Sequence, residues 1–348
     1  MSTLTVDGLR VRLRTPAGEV TIVDGVDYVV EPGEVFGIAG ESGSGKTISM
    51  LALLGLLPDG AKVEGQARFG DHELIGMPAS QLRRISGREL AMVFQDPFTS
   101  LDPKWTVSRI VGEPLTAYGL GSRRERRERV NSLLELVGLD PADYGRRQPR
   151  ELSGGQAQRV AIARALVLEP KLILCDEPVS SLDVLVQAQV LNLLERLRSE
   201  LGLSYLFIAH DLALVKQVSD RVAVMYLGKL CEIGPVRDIY RQPLHPYTLA
   251  LLTSIPSAGP SARKREARTV IRGELPSPLD PPSGCRFRTR CPRAQERCAA
   301  EAPQLRAVGS EGHLVACHFP LSGREGTSAG SGTSADTGAQ GEPAAIKR

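Results

Sequence analysis

The feature that most constrains the fold of this chain is the glycine-rich segment GESGSGKT, which matches the pattern G-x4-G-K-[S/T]. An apolar segment, EVFGIAG, precedes it as a predicted buried strand, and TISMLALLGLL follows as a predicted helix. Such a loop directs backbone N–H groups into one concavity at a helix N-terminus, which suits phosphate. We expect Lys46 to reach the β- and γ-phosphates of ATP and the Thr47 hydroxyl to ligate Mg²⁺. The predicted ATP-binding residues are Gly40, Glu41, Ser42, Gly43, Ser44, Gly45, Lys46 and Thr47.

The apolar pattern along the chain predicts an α/β fold. The segments LTVDGLRVRL and EVTIVDGVDYVV alternate apolar and polar residues, which is typical of an antiparallel sheet. KLILCDE and LSYLFIAH are apolar strands separated by the long amphipathic helix VLVQAQVLNLLERLRSEL. Strand–helix alternation of this kind indicates a parallel core sheet wrapped by helices. Between Val107 and Pro149 the pattern is helical and charged.

Polar side chains end the predicted core strands. Asp176 and Glu177 end KLILCDE, and acids at the carboxyl end of a parallel strand lie near the phosphate loop. We expect Asp176 to assist Mg²⁺ binding and Glu177 to act as the general base that positions the attacking water. The alternative for this acid pair is a helix cap, since Pro178 follows. His210 is predicted to contact the γ-phosphate, and Gln95 to sense the metal and the water.

Bulk properties exclude some classes of protein. The 348 residues are enough for two domains, or for one large domain with an appendage. A net charge of +3 is too small to indicate nucleic acid binding. No apolar run approaches the roughly 20 residues of a membrane span, and no secretory signal is visible. The chain is therefore expected in the cytosol unless a partner holds it at a membrane.

The segment LSGGQ, from Leu152 to Gln156, opens a predicted helix. Here the chain resembles the ATP-binding subunits of ABC transporters, in which LSGGQ is the signature motif. The resemblance covers roughly residues 1–255 and includes Ser181-Leu182-Asp183, which is similar to the D-loop. It implies a head-to-tail pair in which LSGGQ of one subunit closes over the ATP of the other. The residues expected to contact that nucleotide are Ser153, Gly154, Gly155, Gln156 and Asp183.

Two further segments resemble the oligopeptide/dipeptide permease group, namely QDPFTSLDP starting at Gln95 and HPYT starting at His245. The resemblance implies an ATPase at the cytoplasmic face of the inner membrane. Its partners would be two membrane subunits, a second ATPase that we expect to be a paralogue, and indirectly an extracytoplasmic binding protein. Peptides are the implied substrate, although related members carry nickel, glutathione or sugars. QDPFTSLDP is the expected docking site for the membrane subunits. The alternative is a soluble ABC ATPase that acts on DNA or ribosomes.

The chain departs from the family pattern at the adenine site. Many ABC subunits stack an aromatic residue on adenine at a position that falls here on Ala17. Tyr28 is the first aromatic residue of the sequence. How the base is held is therefore open.

Four cysteines, Cys285, Cys291, Cys298 and Cys317, follow the spacing C-x5-C-x6-C-x18-C in a proline-rich segment. Four thiolates suit Zn²⁺ or an iron–sulfur cluster. No C-x2-4-C pair of the kind usual in zinc sites occurs among these four, which favours [4Fe–4S] with zinc as the alternative; unligated thiols are the third possibility. We predict an ATPase domain over 1–255 with a helical subdomain at about 105–155, a cysteine-bearing extension over 256–320 and a disordered tail over 321–348.

Overall fold

The computed structural model describes residues 3–16, 18–255, 273–308 and 310–321. Ala17 lies outside these residues, as does the predicted disordered tail apart from Leu321.

The described residues form two sheets and the helices that surround them. The strands are β1 Leu4–Thr15, β2 Gly18–Val30, β3 Val35–Ala39, β4 Lys62–Phe69, β5 His72–Glu73, β6 Leu90–Val93, β7 Leu172–Asp176, β8 Ser204–Ala209, β9 Arg221–Tyr226, β10 Lys229–Pro235, β11 Arg306–Ala307 and β12 Leu314–Val315. The helices are α1 Lys46–Leu53, α2 Ala79–Ile85, α3 Pro97–Ser100, α4 Val107–Ala117, α5 Arg123–Leu136, α6 Pro141–Tyr144, α7 Gly154–Leu166, α8 Val184–Leu201, α9 Leu212–Val218, α10 Val236–Arg241, α11 Pro246–Ser254 and α12 Glu296–Ala300.

The core sheet has the strand order β11-β12-β10-β9-β3-β8-β7-β6. Strands β9, β3, β8, β7 and β6 are parallel, and every residue of β3, β7 and β8 is buried. Burial on both faces explains why these strands are continuous apolar runs rather than alternating ones. The carboxyl ends of β3, β6, β7 and β8 therefore meet at one edge of the sheet, which is where the predicted site residues lie.

A second sheet, in the order β2-β1-β4-β5, is antiparallel. Its buried face, which includes Leu4, Val11 and Val23, packs in one apolar cluster with core residues such as Phe36 and Met50. The Tyr28 ring stacks on Phe36 with ring centroids 5.3 Å apart. The N-terminal sheet thus covers the core sheet on the side of α1.

The segment between β6 and β7 is helical, as the sequence predicts. Helix α5 begins with a capping box: the Ser122 hydroxyl accepts from the Glu125 backbone N–H, and the Glu125 carboxylate accepts from the Ser122 backbone N–H. Apolar residues of α4, α5 and α7, such as Val111 and Leu134, pack into the main core cluster. Among the described ranges, no helix combines the length and apolarity that a membrane crossing requires.

The C-terminal segment extends the core sheet. Strand β12 pairs with β10, with Val315 opposite Glu232. The Glu232 carboxylate is fully buried and accepts from His313 Nε2 at 2.7 Å and from the backbone N–H groups of Leu244 and His245. These bonds satisfy a carboxylate that burial would otherwise destabilise. They also fix the C-terminal segment against the rest of the molecule.

Candidate ATP-binding and hydrolysis site

The glycine-rich loop connects β3 to α1 at the carboxyl edge of the core sheet. A Cβ at Gly40 would lie 2.1 Å from the Met225 carbonyl oxygen, and one at Gly45 would lie 2.8 Å from the Ile22 carbonyl oxygen. Gly45 also has φ = +104°. A side chain at Gly40 or Gly45 would therefore collide with a neighbouring backbone carbonyl, and at Gly45 the positive φ also favours glycine.

Lys46 folds back over the loop. Its Nζ donates to the carbonyl oxygens of Gly40 at 2.8 Å and Glu41 at 3.0 Å. Burial lowers the pKa of Lys46, and the nearby carboxylates of Glu177, Asp176 and Glu41 oppose that shift. The ammonium group is thus held inside the loop, where the β- and γ-phosphates of ATP would be bound.

Thr47 and Asp176 form the predicted metal pair. The Thr47 hydroxyl, in the first turn of α1, donates to Asp176 Oδ1 at 2.8 Å, across from the end of β7. Burial raises the pKa of Asp176, and the hydrogen bond from Thr47 works against this rise. Hydroxyl and carboxylate oxygens are the ligands that Mg²⁺ prefers. The two side chains therefore fit a Mg²⁺ ion shared with the phosphates.

The Glu177 carboxylate contacts the other two predicted catalytic residues, His210 and Gln95. His210 Nδ1 lies 2.8 Å from Glu177 Oε2, and Gln95 Nε2 donates to the same oxygen at 3.4 Å. Glu177 has φ = +44°, a rare conformation for a non-glycine residue. A backbone bond from Glu177 N–H to the Ile208 carbonyl holds this turn beside β8. Residues from the ends of β6, β7 and β8 thus present one carboxylate beside the phosphate loop.

The LSGGQ segment lies at the start of α7, where it caps the helix and packs on neighbouring segments. Ser153 and Gln156 form a capping box, in which each side chain bonds the backbone N–H of the other. Gln156 also donates to the Tyr144 hydroxyl at 3.1 Å. A Cβ at Gly154 or Gly155 would lie 3.0 Å from Leu182 or 2.3 Å from Val186, respectively. The glycines therefore allow α7 to pack closely on the start of α8.

Asp183 caps α8, accepting from the backbone N–H groups of Leu185 at 3.1 Å and Val186 at 3.0 Å. Within this chain its carboxylate thus has a helix-capping role. The next two side chains, Val184 and Leu185, are 78% and 77% exposed. Two adjacent large apolar side chains with this exposure are typical of an interaction surface. That surface adjoins LSGGQ through the contact between Gly155 and Val186.

Comparison with known proteins identifies the family. The chain is 47% identical over 302 residues to the oligopeptide transport ATP-binding protein AppF of Bacillus subtilis, which covers 87% of this chain and 90% of AppF. It is 49% identical over 303 residues to the oligopeptide transport ATP-binding protein OppF of Escherichia coli, covering 87% of this chain and 89% of OppF. The chain belongs to the ABC transporter family. Residues 23–180 match the family described as ABC transporter, and 231–298 match the oligopeptide/dipeptide transporter C-terminal region.

Solved structures show the same cassette fold. The ATP-binding cassette MJ0796, in a dimeric post-hydrolysis state bound to ADP and phosphate, superposes with a TM-score of 0.61 at 27% identity. The match covers 67% of this chain and 99% of MJ0796. A second dimeric structure of MJ0796 gives a TM-score of 0.60. The prediction of an ABC ATPase fold with mixed sheets is therefore confirmed.

The four C-terminal cysteines of this ABC subunit line one pocket. Cys285, Cys291, Cys298 and Cys317 are free thiols around a cavity of about 10 Å³, room for about one water molecule. Burial raises the pKa of Cys285 to about 11. In the part of the chain that the structure describes, no group of three or more His, Cys, Asp or Glu side chains is placed to hold a metal ion. Neither the predicted iron–sulfur cluster nor the zinc alternative is therefore confirmed.

Two residues at the phosphate loop were not predicted from the sequence. The Tyr247 hydroxyl accepts from the Glu41 backbone N–H at 2.9 Å, and Arg290 forms an ion pair with the Glu41 side chain. Tyr247 lies in the HPYT segment, which the sequence associates with a subgroup without indicating a role. Arg290 lies 249 positions after Glu41, and no local pattern marks it.

Proposed function

We propose that this chain is the ATP-hydrolysing subunit of an ABC importer for peptides. The observation that carries the proposal is the convergence of Gln95 and His210 on the Glu177 carboxylate, beside a phosphate loop that already holds Lys46. A phosphate-binding loop needs no such arrangement for binding alone. A carboxylate held by two polar side chains is suited to accept a proton from an attacking water.

Each group of residues in the site has a separate role in ATP hydrolysis. Backbone N–H groups of the loop and Lys46 bind the phosphates of ATP and stabilise the charge that develops on the γ-phosphoryl group. Thr47 and Asp176 would hold Mg²⁺, which would supply positive charge to neutralise the phosphates of ATP. Glu177 orients the water and takes its proton, and His210 fixes the Glu177 carboxylate through their hydrogen bond.

The site is completed by a second ATPase subunit in head-to-tail arrangement. Ser153 and the N–H groups that begin α7 form another anion site, whose contacts within this chain are with Tyr144, Leu182 and Val186. The exposed Val184 and Leu185 continue that surface. We infer that this face covers the nucleotide of the partner, with Asp183 at the contact, and that the partner is a paralogue.

The peptide substrate and the membrane partners follow from the relatives. AppF and OppF are oligopeptide transport ATP-binding proteins, and their similarity extends over the C-terminal region as well as the ATPase core. The soluble alternative, an ATPase acting on DNA or ribosomes, has no corresponding support. We place the chain at the cytoplasmic face of the membrane, bound to two membrane subunits that receive peptide from an extracytoplasmic binding protein.

We assign the QDPFTSLDP segment to contact with the membrane subunits. Asp96 caps the short helix α3, which presents Phe98 to solvent. Beside it lies a cavity of about 520 Å³ whose lining includes Phe94, Thr99 and Glu113. An exposed aromatic residue next to a groove suits the reception of a short helix from a partner.

Affinity purification of the tagged full-length chain from detergent-solubilised membranes tests the assignment. We expect two membrane subunits and a second ATPase to co-purify, and Phe98→Asp to reduce the recovery of the membrane subunits. Leu201→Asp, at a similarly exposed leucine at the end of α8, is the matched control. Recovery of ribosomal proteins or DNA-processing proteins instead would support the soluble alternative.

We propose that the cysteine pocket is the site of a metal centre. Its support is the gathering of four thiols from widely spaced positions, a donor set that suits an iron–sulfur cluster or zinc. Loading would require the pocket to widen, and we assign no step of ATP hydrolysis to it. Anaerobically purified protein should be brown with broad absorbance near about 400 nm if a [4Fe–4S] cluster binds. Colourless protein with stoichiometric zinc would favour zinc, and metal-free protein would leave the thiols unligated.

A further inference from the structure

The C-terminal segment reaches the phosphate loop through Arg290. Its guanidinium makes a two-bond ion pair with Glu41, with Nη1–Oε2 at 2.8 Å and Nη2–Oε1 at 3.3 Å. Nη1 also donates to the Tyr226 hydroxyl at 3.3 Å. The Arg290 side chain is only 9% exposed. A paired geometry of this kind is both directional and stronger than a neutral hydrogen bond.

Glu41 lies inside the loop that binds phosphate, so its charge matters. Its carboxylate is close enough to Lys46 to influence the pKa of that ammonium group. An unpaired carboxylate at this position would repel the phosphates of ATP. Arg290 cancels that charge and at the same time fixes the orientation of the Glu41 side chain.

Arg290 is itself held by packing. Phe287, in the same segment, packs in an apolar cluster with Tyr226 and Tyr247, with ring centroids 5.2 and 5.3 Å away. Arg286 forms an ion pair with Asp24 at 2.6 Å. Because these contacts fix the segment just before Arg290, the guanidinium is positioned before any nucleotide binds.

We propose that Arg290 is a positioning residue for ATP binding, which neutralises Glu41 and orders the phosphate loop from the C-terminal segment. The segment is then a part of the nucleotide site. Arg290 acts through Glu41, so its loss affects ATP affinity more than the chemical step.

Substitutions of the two partners of this ion pair should change the Kd for ATP in opposite directions. Arg290→Ala leaves the Glu41 charge uncompensated and should raise the Kd for ATP about tenfold, which corresponds to about 1.4 kcal/mol. Glu41→Gln removes the repelling charge and leaves Arg290 facing the phosphates, so it should lower the Kd. The double variant should bind ATP more tightly than Arg290→Ala alone. Arg290→Lys, which keeps the charge and loses the paired geometry, should lie between wild type and Arg290→Ala.

The measurements are the Kd for a fluorescent ATP analogue, KM and kcat for ATP hydrolysis by the full chain, and the melting temperature. Arg297→Ala is the matched control, because Arg297 pairs with Glu301 in the same segment but both side chains are exposed. We expect KM to rise in Arg290→Ala with kcat retained, and no change in Arg297→Ala.

An unchanged Kd in Arg290→Ala overturns the proposal, as does weaker binding in Glu41→Gln, since a purely structural ion pair would weaken binding from either side. If Arg290→Ala fails to fold, Glu41→Gln and Arg290→Lys still decide. The inference rests on the ATP site proposed above. Lys46→Ala tests that site separately. If the site binds ATP as proposed, this variant should lose ATP binding, and that result does not depend on the role of Arg290.

Discussion

Replacement of Glu177 by Gln separates ATP binding from hydrolysis. Glutamine keeps the shape of the side chain and its contacts with Gln95 and His210, which lie 3.4 and 2.8 Å from Glu177 Oε2. It cannot accept a proton from water, and loss of a general base typically costs 10²- to 10⁴-fold in rate. At about 1.4 kcal/mol per tenfold, the barrier should rise by about 3 to 5 kcal/mol. We expect kcat to fall by that factor while the Kd for ATP stays within about threefold, which corresponds to about 0.7 kcal/mol.

Phosphate release at saturating ATP gives kcat, and equilibrium binding of a fluorescent ATP analogue gives Kd. Glu169→Gln is the matched control, since Glu169 also has positive φ (+57°) but lies on the surface, paired with Arg129. We expect its turnover to equal that of wild type. Turnover near the wild-type value in Glu177→Gln would refute the assignment of Glu177 as the base.

Three further changes test other parts of the molecule. Thr47→Val removes the hydroxyl that bonds Asp176 and should weaken Mg²⁺-dependent ATP binding about tenfold or more, measured as Kd at varied Mg²⁺; unaltered Mg²⁺ dependence would contradict the metal assignment. Burial lowers the pKa of His245 to about 4 from 6.5, so below pH 6.5 the unfolded chain binds the proton first and the free energy of unfolding falls, by about 3 kcal/mol at pH 4. His245→Asn, which keeps a cap for α11, should lose that part of the pH dependence in urea unfolding at pH 4 to 7, and an unaltered profile would contradict it. Gly155→Ala places a Cβ 2.3 Å from Val186 and should lower both the melting temperature and turnover, with partial recovery in Gly155→Ala/Val186→Ala; a fully active single variant would contradict the packing argument.

Much of the ATP site could be predicted from the sequence because its parts are local. The phosphate loop has a fixed spacing between a strand and a helix, and the structure places β3 and α1 on either side of it. Asp176 and Glu177 follow an apolar run that is strand β7. The parallel order of the strands then brings Glu177 to His210 without any further information.

Contacts between distant segments could not be predicted in this way. Arg290 and Glu41 are 249 positions apart, and an arginine in a proline-rich segment has no periodicity that indicates a partner. Strand β12, which pairs with β10 at the edge of the core sheet, has only two residues. A strand of that length is too short to show an alternating pattern in the sequence. The cysteine spacing predicted that the thiols would lie together, and they line one pocket. It could not predict the size of that pocket, which packing of the surrounding residues determines.

Asp183 illustrates a different limit. The family resemblance indicates a nucleotide contact across a subunit interface, whereas the contacts within this chain are with the first turn of α8. In the single chain, the contacts of Asp183 show its helix-capping role. The role in a pair stays a prediction.

Uptake of a labelled oligopeptide by cells tests the central claim most directly. Cells that lack this chain are complemented with wild type, Glu177→Gln or Glu169→Gln, and the accumulation of peptide is compared at equal amounts of protein. The account predicts that wild type and Glu169→Gln restore uptake and that Glu177→Gln does not. Equal uptake with Glu177→Gln, or unimpaired uptake in cells that lack the chain, would contradict it.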